Sequence, residues 1–196
     1  MLNDEEFRLA LAKFRGVETR PLQFQPSVGC LIDINHCIEI SKILHNVGAR
    51  WERNIATPTL GSSLPTEKGI YMFVWCPSLT LEFETSPHTF RPSWVLYVGK
   101  AGVEGGTHDT IQHRYQSEYC KYVGSDPSCL WDEPAVDDRE TRLARYLSVR
   151  PLEHWFLPLK NTKEISSIER TLIRMFNPPV NRQHGRKLRA TTTEPA

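Results

Sequence analysis

Two short apolar runs, at residues 68–75 and 94–100, constrain the fold of this chain more than any other feature. Each run is rich in β-branched and aromatic residues, which is typical of a β-strand. Because side chains alternate between the two faces of a strand, we expect Tyr71 and Phe73 on one face of the first strand. The same alternation assigns three residues to one face of the second strand: Val95, Tyr97 and Gly99. Two tyrosines on neighbouring strands indicate either a polar site on a rigid sheet or two ordinary core strands.

The composition is that of a globular protein without a strong overall charge. The chain has 196 residues, of which 39% are hydrophobic and 24% charged, and its formal net charge is +1. Nucleic-acid binding would therefore depend on a local basic patch. The five cysteines form no Cys-x-x-Cys pair, which favours free thiols over a disulfide framework or a zinc ribbon. An acidic start without an apolar core, and no run long enough to cross a bilayer, favour a cytoplasmic protein with no membrane partner.

The first 66 residues are expected to form a mostly helical N-terminal extension. Apolar spacing predicts helices over 3–15 and 34–47, followed by a turn-rich stretch at 49–67. Residues 67–183 then form the main domain, and 184–196 a basic C-terminal tail. The main domain is predicted to be α+β, with a three-stranded antiparallel sheet flanked by helices.

Later elements of the main domain follow from capping residues and periodicity. Helices are predicted from Thr110 to about residue 123, from Asp137 or Asp138 to about residue 149, and over 163–176 with Thr162 as the cap. A third strand is predicted at 151–159, with Leu152, His154 and Phe156 on one face.

Short motifs on these elements occur in a recognisable order. They are Gly69-Ile70-Tyr71, then Tyr97-Val98-Gly99-Lys100-Ala101, then Arg114, Glu169 and Asn181. In this order and on these elements, the chain resembles the GIY-YIG endonuclease family over about residues 67–183. That family has a three-stranded antiparallel sheet flanked by helices and cleaves DNA phosphodiesters.

The resemblance implies roles for six residues. Glu169 would hold one Mg²⁺ or Mn²⁺ ion, because magnesium binds readily through one carboxylate, waters and substrate oxygens. Arg114 would bind the phosphate, Lys100 would point into the same cleft, and Asn181 would position a backbone or ligand group. Tyr71 would be the general base, with Tyr97 beside it or sharing the role. Since an unperturbed tyrosine has a pKa of about 10, forming tyrosinate at pH 7 costs roughly 4 kcal/mol, and cleavage should rise with pH.

This chain departs from the family pattern in two places. The gap between the two tyrosine motifs is longer than the usual hairpin. Several members carry a His or Tyr one helical turn after the catalytic arginine, whereas this chain has Glu118 there, with Tyr119 beside it and His113 before it.

DNA contacts are expected from basic residues near the site. The candidates lie on one helix and in the tail: Arg139, Arg142, Arg145, Arg182, Arg186 and Lys187. One active centre cuts one strand at a time, so cutting both strands would require a homodimer or two visits. A restriction or defence nuclease is the first interpretation, and a repair, recombination or mobile-element nuclease is the alternative. A catalytically silent nucleic-acid-binding domain on this fold is a further alternative.

Overall fold

The computed structural model describes residues 38, 42, 45, 50–78, 81–83, 86–103, 109–130 and 138–181. The predicted helix at 3–15 and the tail after residue 181 lie outside the described residues. Of the predicted helix at 34–47, the three described residues, 38, 42 and 45, are helical. The domain boundary near residue 66 stays a prediction.

Six strands are present in the described part of the chain: β1 (Glu52–Ile55), β2 (Gly69–Trp75), β3 (Leu81–Phe83), β4 (Ser86–Phe90), β5 (Trp94–Ala101) and β6 (Leu152–Pro158). Four of them form an antiparallel sheet in the order β1-β6-β2-β5, and β3 pairs with β4 in a separate hairpin. The fold is therefore mixed, with helices against an antiparallel sheet.

The sheet has one strand more than the three that were predicted. Strand β1 lies in the stretch that was predicted to consist of turns, and it pairs with β6 from Glu52 opposite Phe156 to Ile55 opposite Glu153. Its sequence, Glu-Arg-Asn-Ile, lacks the apolar alternation of an amphipathic strand, since three of its four residues are exposed. A short 3₁₀ turn, Leu60–Ser63, follows it.

Three helices in the described residues flank the sheet: α1 (Ile111–Arg114), α2 (Arg139–Tyr146) and α3 (Thr162–Phe176). Helix α1 continues directly into a π-helical turn, Tyr115–Tyr119. Asp138 caps α2 as predicted, by accepting from the Thr141 N–H. The predicted cap of α3 was wrong by one residue, because Asn161 and not Thr162 accepts from the Lys163 N–H. None of the described helices combines the length and apolar character needed to cross a membrane.

The sheet separates two apolar layers. The α1 face, which α1 and α2 cover, carries an aromatic cluster that includes Tyr71, Phe73, Tyr97, Tyr115, Tyr119 and Phe156. The α3 face packs β-strand residues against helix α3, including Ile70, Met72, Val74, Ile165, Ile168 and Leu172. The predicted alternation of β2 is therefore confirmed.

A β-bulge changes the alternation in β5. The register shifts between Phe73, which faces Tyr97, and Val74, which faces Val95. The extra residue, Leu96, joins the α1 face with Tyr97, whereas Val95 packs on the α3 face. The expectation that Val95 shares a face with Tyr97 was therefore wrong.

Candidate active site

Three tyrosine hydroxyls meet on the α1 face. Tyr71 comes from β2, Tyr97 from β5 and Tyr119 from the π-helical turn. The Tyr119 hydroxyl is 2.9 Å from that of Tyr71 and donates to that of Tyr97 at 3.0 Å. Gly99 makes room for this cluster, because a Cβ atom at that position would lie 2.5 Å from the Tyr71 ring. Tyr71 and Tyr97 thus belong to one hydroxyl chain, which Tyr119 completes.

The π-helical turn brings Tyr119 to this position. Its wide turn is closed by a hydrogen bond from the Cys120 N–H to the Tyr115 carbonyl, five residues back. Such turns insert one residue into a helix and are frequent at functional sites. Tyr119 stands five residues after Arg114, so the extra residue carries it to the strand tyrosines, and Glu118 points to the arginines instead.

Arg139 and Glu118 border the hydroxyls, and Glu118 links Arg139 to Arg114. The Nη2 atom of Arg139 donates to Glu118 at 2.9 Å, to Tyr119 at 3.2 Å and to Tyr97 at 3.3 Å. Arg114 donates from Nε to Asp109 at 2.5 Å and from Nη1 to the other oxygen of Glu118. The guanidinium of Arg114 is therefore held between two carboxylates, and its side chain is 22% exposed against 47% for Arg139.

Burial determines the protonation of this cluster. Burial raises the pKa of Tyr71 well above 10, and the neighbouring Tyr97 adds to that effect. Burial likewise raises the pKa of Tyr119. Burial alone would raise the pKa of Glu118, but hydrogen bonds from Arg114 and Arg139 outweigh it, so that pKa is lowered. At neutral pH the site holds protonated Tyr71 and Tyr119 beside an ionised Glu118.

These pKa directions bear on the proposed role of Tyr71. The sequence-based hypothesis required cations to lower its pKa, whereas the cluster raises it and Lys100 lies elsewhere. Since Tyr71 is 2% exposed, its hydroxyl is also poorly accessible to water. Within the trio, Tyr97 has the largest exposure, 8%, and accepts a hydrogen bond from Arg139.

Lys100 and Glu169 form a second group on the α3 face. The Lys100 Nζ lies 2.8 Å from the Glu169 Oε2, and their side chains are 29% and 12% exposed. Lys100 pairs with Ile70, whose side chain packs on the α3 face, whereas Tyr71 and Tyr97 lie on the opposite face. The tyrosines and the Lys100–Glu169 pair therefore do not share the one cleft that was expected. They form two groups, one on each face of the sheet at the edge strand β5.

Asn181 bonds to the backbone of the edge strand. Its Oδ1 accepts from the Val98 N–H at 2.8 Å, and its Nδ2 donates to the Val98 carbonyl at 2.7 Å. The preceding Val180 N–H donates to the Leu96 carbonyl at 3.2 Å. Asn181 therefore holds β5, the strand that carries Tyr97 and Lys100, through its main chain.

The other basic candidates do not form one exposed row. Arg139 joins the hydroxyl cluster, whereas Arg145 is half-buried and donates from Nε to the Leu130 carbonyl at 2.9 Å. Arg142 is also half-buried. Three candidates in the tail lie outside the described residues: Arg182, Arg186 and Lys187.

The described residues offer one carboxylate for the implied metal ion. They contain no group of three or more His, Cys, Asp or Glu that could hold a metal. Lys100 contacts Oε2 of Glu169, and no other ion pair or hydrogen bond within the described part of the chain reaches this carboxylate. A single carboxylate oxygen fits Mg²⁺ that is otherwise bound by water and substrate. The donor set is therefore compatible with a weakly held ion at Glu169.

His154 lies beneath the tyrosines and was predicted only as part of a strand face. Its ring packs 5.7 Å from that of Tyr71 and 4.9 Å from that of Tyr115, and it is 1% exposed. Its Nδ1 has no hydrogen-bond partner among the described residues. Burial lowers the pKa of His154 to about 3, so the imidazole is neutral.

Three residues of the cluster were assigned no site role or a different one: Glu118, Tyr119 and Arg139. Glu118 and Tyr119 were noted only as a departure from the family pattern, and Arg139 as a DNA contact. The sequence did contain a signal for Tyr119. A tyrosine that lies one residue beyond the expected helical position can reach the site only if the helix contains one inserted residue. No family model, curated protein or solved structure matches the chain.

Proposed function

We propose that the protein is a divalent-metal-dependent endonuclease that hydrolyses DNA phosphodiester bonds. The observation that carries this proposal is the cluster in which Tyr71, Tyr97 and Tyr119 join their hydroxyls beside the guanidinium of Arg139. Guanidinium groups bind phosphate oxygens through planar, charge-assisted hydrogen bonds. Hydroxyls held next to such a group are suited to orienting a water molecule against a bound phosphate.

The roles of the tyrosines differ from those first expected. Tyr97 is the least buried of the three tyrosines and accepts a hydrogen bond from Arg139, so it is the residue that would take the proton of the attacking water. Tyr71 and Tyr119 would stay protonated and fix the orientation of Tyr97. Because each is nearly fully buried, ionising either would cost more than the roughly 4 kcal/mol of an unperturbed tyrosine at pH 7.

The Lys100–Glu169 pair is the proposed site of the metal ion. Glu169 would hold one Mg²⁺ or Mn²⁺, and Lys100 would orient its carboxylate through the 2.8 Å contact. When bound, such an ion polarises a phosphate and stabilises a leaving oxygen. Each group has one residue on the edge strand, since Tyr97 and Lys100 are both on β5. A DNA strand that passes around this edge, outside residues 180–181, would meet both groups.

A second candidate function is DNA binding without cleavage. The observation that favours it is the position of Glu169 on the face of the sheet opposite to the tyrosine hydroxyls. In that case Arg139 and the tyrosines would bind phosphate, and the Lys100–Glu169 pair would only stabilise the packing of α3.

Plasmid nicking separates the two candidates. The wild-type protein should nick supercoiled DNA in the presence of Mg²⁺ or Mn²⁺ and not in the presence of a chelator. Glu169→Gln should lower the rate by about 100-fold or more, because the ion would lose its one protein carboxylate. Glu164→Gln is the matched control, since Glu164 is an exposed carboxylate on the same helix.

Each outcome decides between the candidates. Equal nicking by Glu169→Gln and the wild type would remove Glu169 from the mechanism. Binding of single-stranded, duplex or branched DNA, with no cleavage of any of them in either metal, would replace the nuclease with the binding domain. If the wild type does cleave DNA, mapping the ends of the products would identify the strand and sequence that are cut.

A further inference from the structure

One carboxylate bridges Arg139, which borders the tyrosine hydroxyls, to Arg114. Glu118 accepts from Arg114 Nη1 with Oε1 and from Arg139 Nη2 with Oε2, the latter at 2.9 Å. The two guanidinium groups come from different segments, one from α1 and the other from α2. Glu118 lies in the π-helical turn, four residues after Arg114.

This bridge has the chemistry of a bound phosphodiester. A carboxylate and a phosphodiester each carry one negative charge over two oxygens, and each accepts hydrogen bonds from two guanidinium groups. The Nη2 of Arg139 that contacts Glu118 also contacts the hydroxyls of Tyr97 and Tyr119. An anion in the place of the Glu118 carboxylate would therefore lie next to the hydroxyls.

The ion pairs of the two arginines make Glu118 the partner that another anion could replace. Arg114 has a second carboxylate, Asp109, at 2.5 Å, which would keep its guanidinium oriented after Glu118 moved away. Arg139 has Glu118 as its one ion-pair partner among the described residues. The Glu118 side chain is 25% exposed, which gives it a route into solvent.

We propose that Glu118 occupies the position of a substrate phosphate in the DNA-free protein, and that a DNA phosphodiester replaces it between Arg114 and Arg139. The proposal rests on the proposed function insofar as the ligand is DNA. Glu118 is then a competing internal anion that weakens DNA binding and keeps the arginines in place until a phosphate arrives.

The proposal predicts that removing the Glu118 charge strengthens DNA binding. Glu118→Gln should lower the Kd for a short duplex by about 10-fold, because a phosphate no longer competes with a carboxylate for two guanidinium groups. The plot of log K against log salt should become steeper by about 0.9, since the displaced Glu118 carboxylate would no longer cancel one of the positive charges that neutralise the phosphates. A residue that only supported the fold would give the opposite sign, because its loss would disorder the arginines.

The measurement is fluorescence anisotropy of a labelled duplex at several salt concentrations in a chelator, so that no cleavage takes place. Glu140→Gln is the matched control: it makes the same change of net charge at a side chain that is 70% exposed and paired with Lys121. Its Kd should stay within about twofold of the wild type, as for an exposed surface pair. Adding Arg139→Ala to Glu118→Gln should abolish the gain.

Unchanged or weaker binding by Glu118→Gln, relative to Glu140→Gln at a similar melting temperature, would overturn the proposal. So would an absence of duplex binding by all variants, or a gain that survives Arg139→Ala. If Glu118→Gln does not fold, Glu118→Ala is judged by the same two measurements. If Glu118→Gln binds DNA more tightly but the wild type does not nick it, only the proposed nuclease function is overturned. If the wild type nicks DNA but Glu118→Gln shows no gain in affinity, only the proposed replacement of Glu118 by a phosphate is overturned.

Discussion

The buried imidazole of His154 makes stability depend on pH in a way that can be calculated. Burial lowers its pKa to about 3 in the folded protein, whereas a histidine in an unfolded chain has a pKa of about 6.5. Between these values only the unfolded chain binds the proton. The depressed pKa therefore contributes stability that is complete above pH 6.5 and is lost as the pH falls towards 3.

The expected size of the effect is about 2 kcal/mol between pH 7.5 and pH 5, at about 1.36 kcal/mol for each unit below 6.5. Urea denaturation at the two pH values measures it, and this window avoids the range in which most carboxylates titrate. His154→Phe should reduce the pH-dependent difference by that amount, whatever its effect on stability at pH 7.5. Phenylalanine suits the site because the neighbours of His154 include Phe73 and Phe156.

His113→Asn is the control for the loss of a histidine, because His113 is an exposed residue on helix α1. If His154→Phe crowds the core and does not fold, His154→Leu carries the same prediction. Equal pH dependence of the wild type and both His154 variants would refute the reasoning, since the buried neutral imidazole would then have no linkage to unfolding.

Two further predictions concern how the site is held. Gly99→Ala should destabilise the fold by about 1–3 kcal/mol, because the added methyl group overpacks against the Tyr71 ring. In urea denaturation, adding Tyr71→Leu should recover part of that loss. Additive effects of the two substitutions would contradict the close approach of Gly99 to the ring. Asn181→Ala should cost about 1–3 kcal/mol, because two backbone groups of Val98 lose their partner. Amide hydrogen exchange at Val98 should accelerate in Asn181→Ala, and unchanged exchange would show that the side-chain bonds are not formed in solution.

Periodicity was sufficient to predict the elements with strong amphipathic patterns. Strand β2, with Tyr71 and Phe73 opposite Ile70 and Met72, and helix α3 both have the faces that their sequences indicate. Strand β1 was missed because a polar edge strand is stabilised by its pairing with β6 and leaves almost no pattern in its own sequence. Its existence depends on a partner about a hundred residues further along the chain.

The site was harder to predict because two single-residue insertions control it. The bulge at Leu96 moves Val95 to the other face of the sheet, and the π-helical turn ends at Tyr119, whose hydroxyl meets those of the strand tyrosines. Such insertions depend on tertiary packing and not on local propensity. The separation of Lys100 from Tyr97, in contrast, was available from the sequence, because residues three apart on a strand point to opposite faces.

The amide of Asn181 has a consequence for assembly. The outward N–H and C=O of a terminal strand are the groups through which one sheet adds to another. At Val98 both are already taken by Asn181, and at Leu96 the carbonyl is taken by Val180. A pair of these molecules therefore does not join through this side of the sheet unless residues 180–181 first come away. Sheet-to-sheet pairing that leaves those residues in place would use another edge, such as β1.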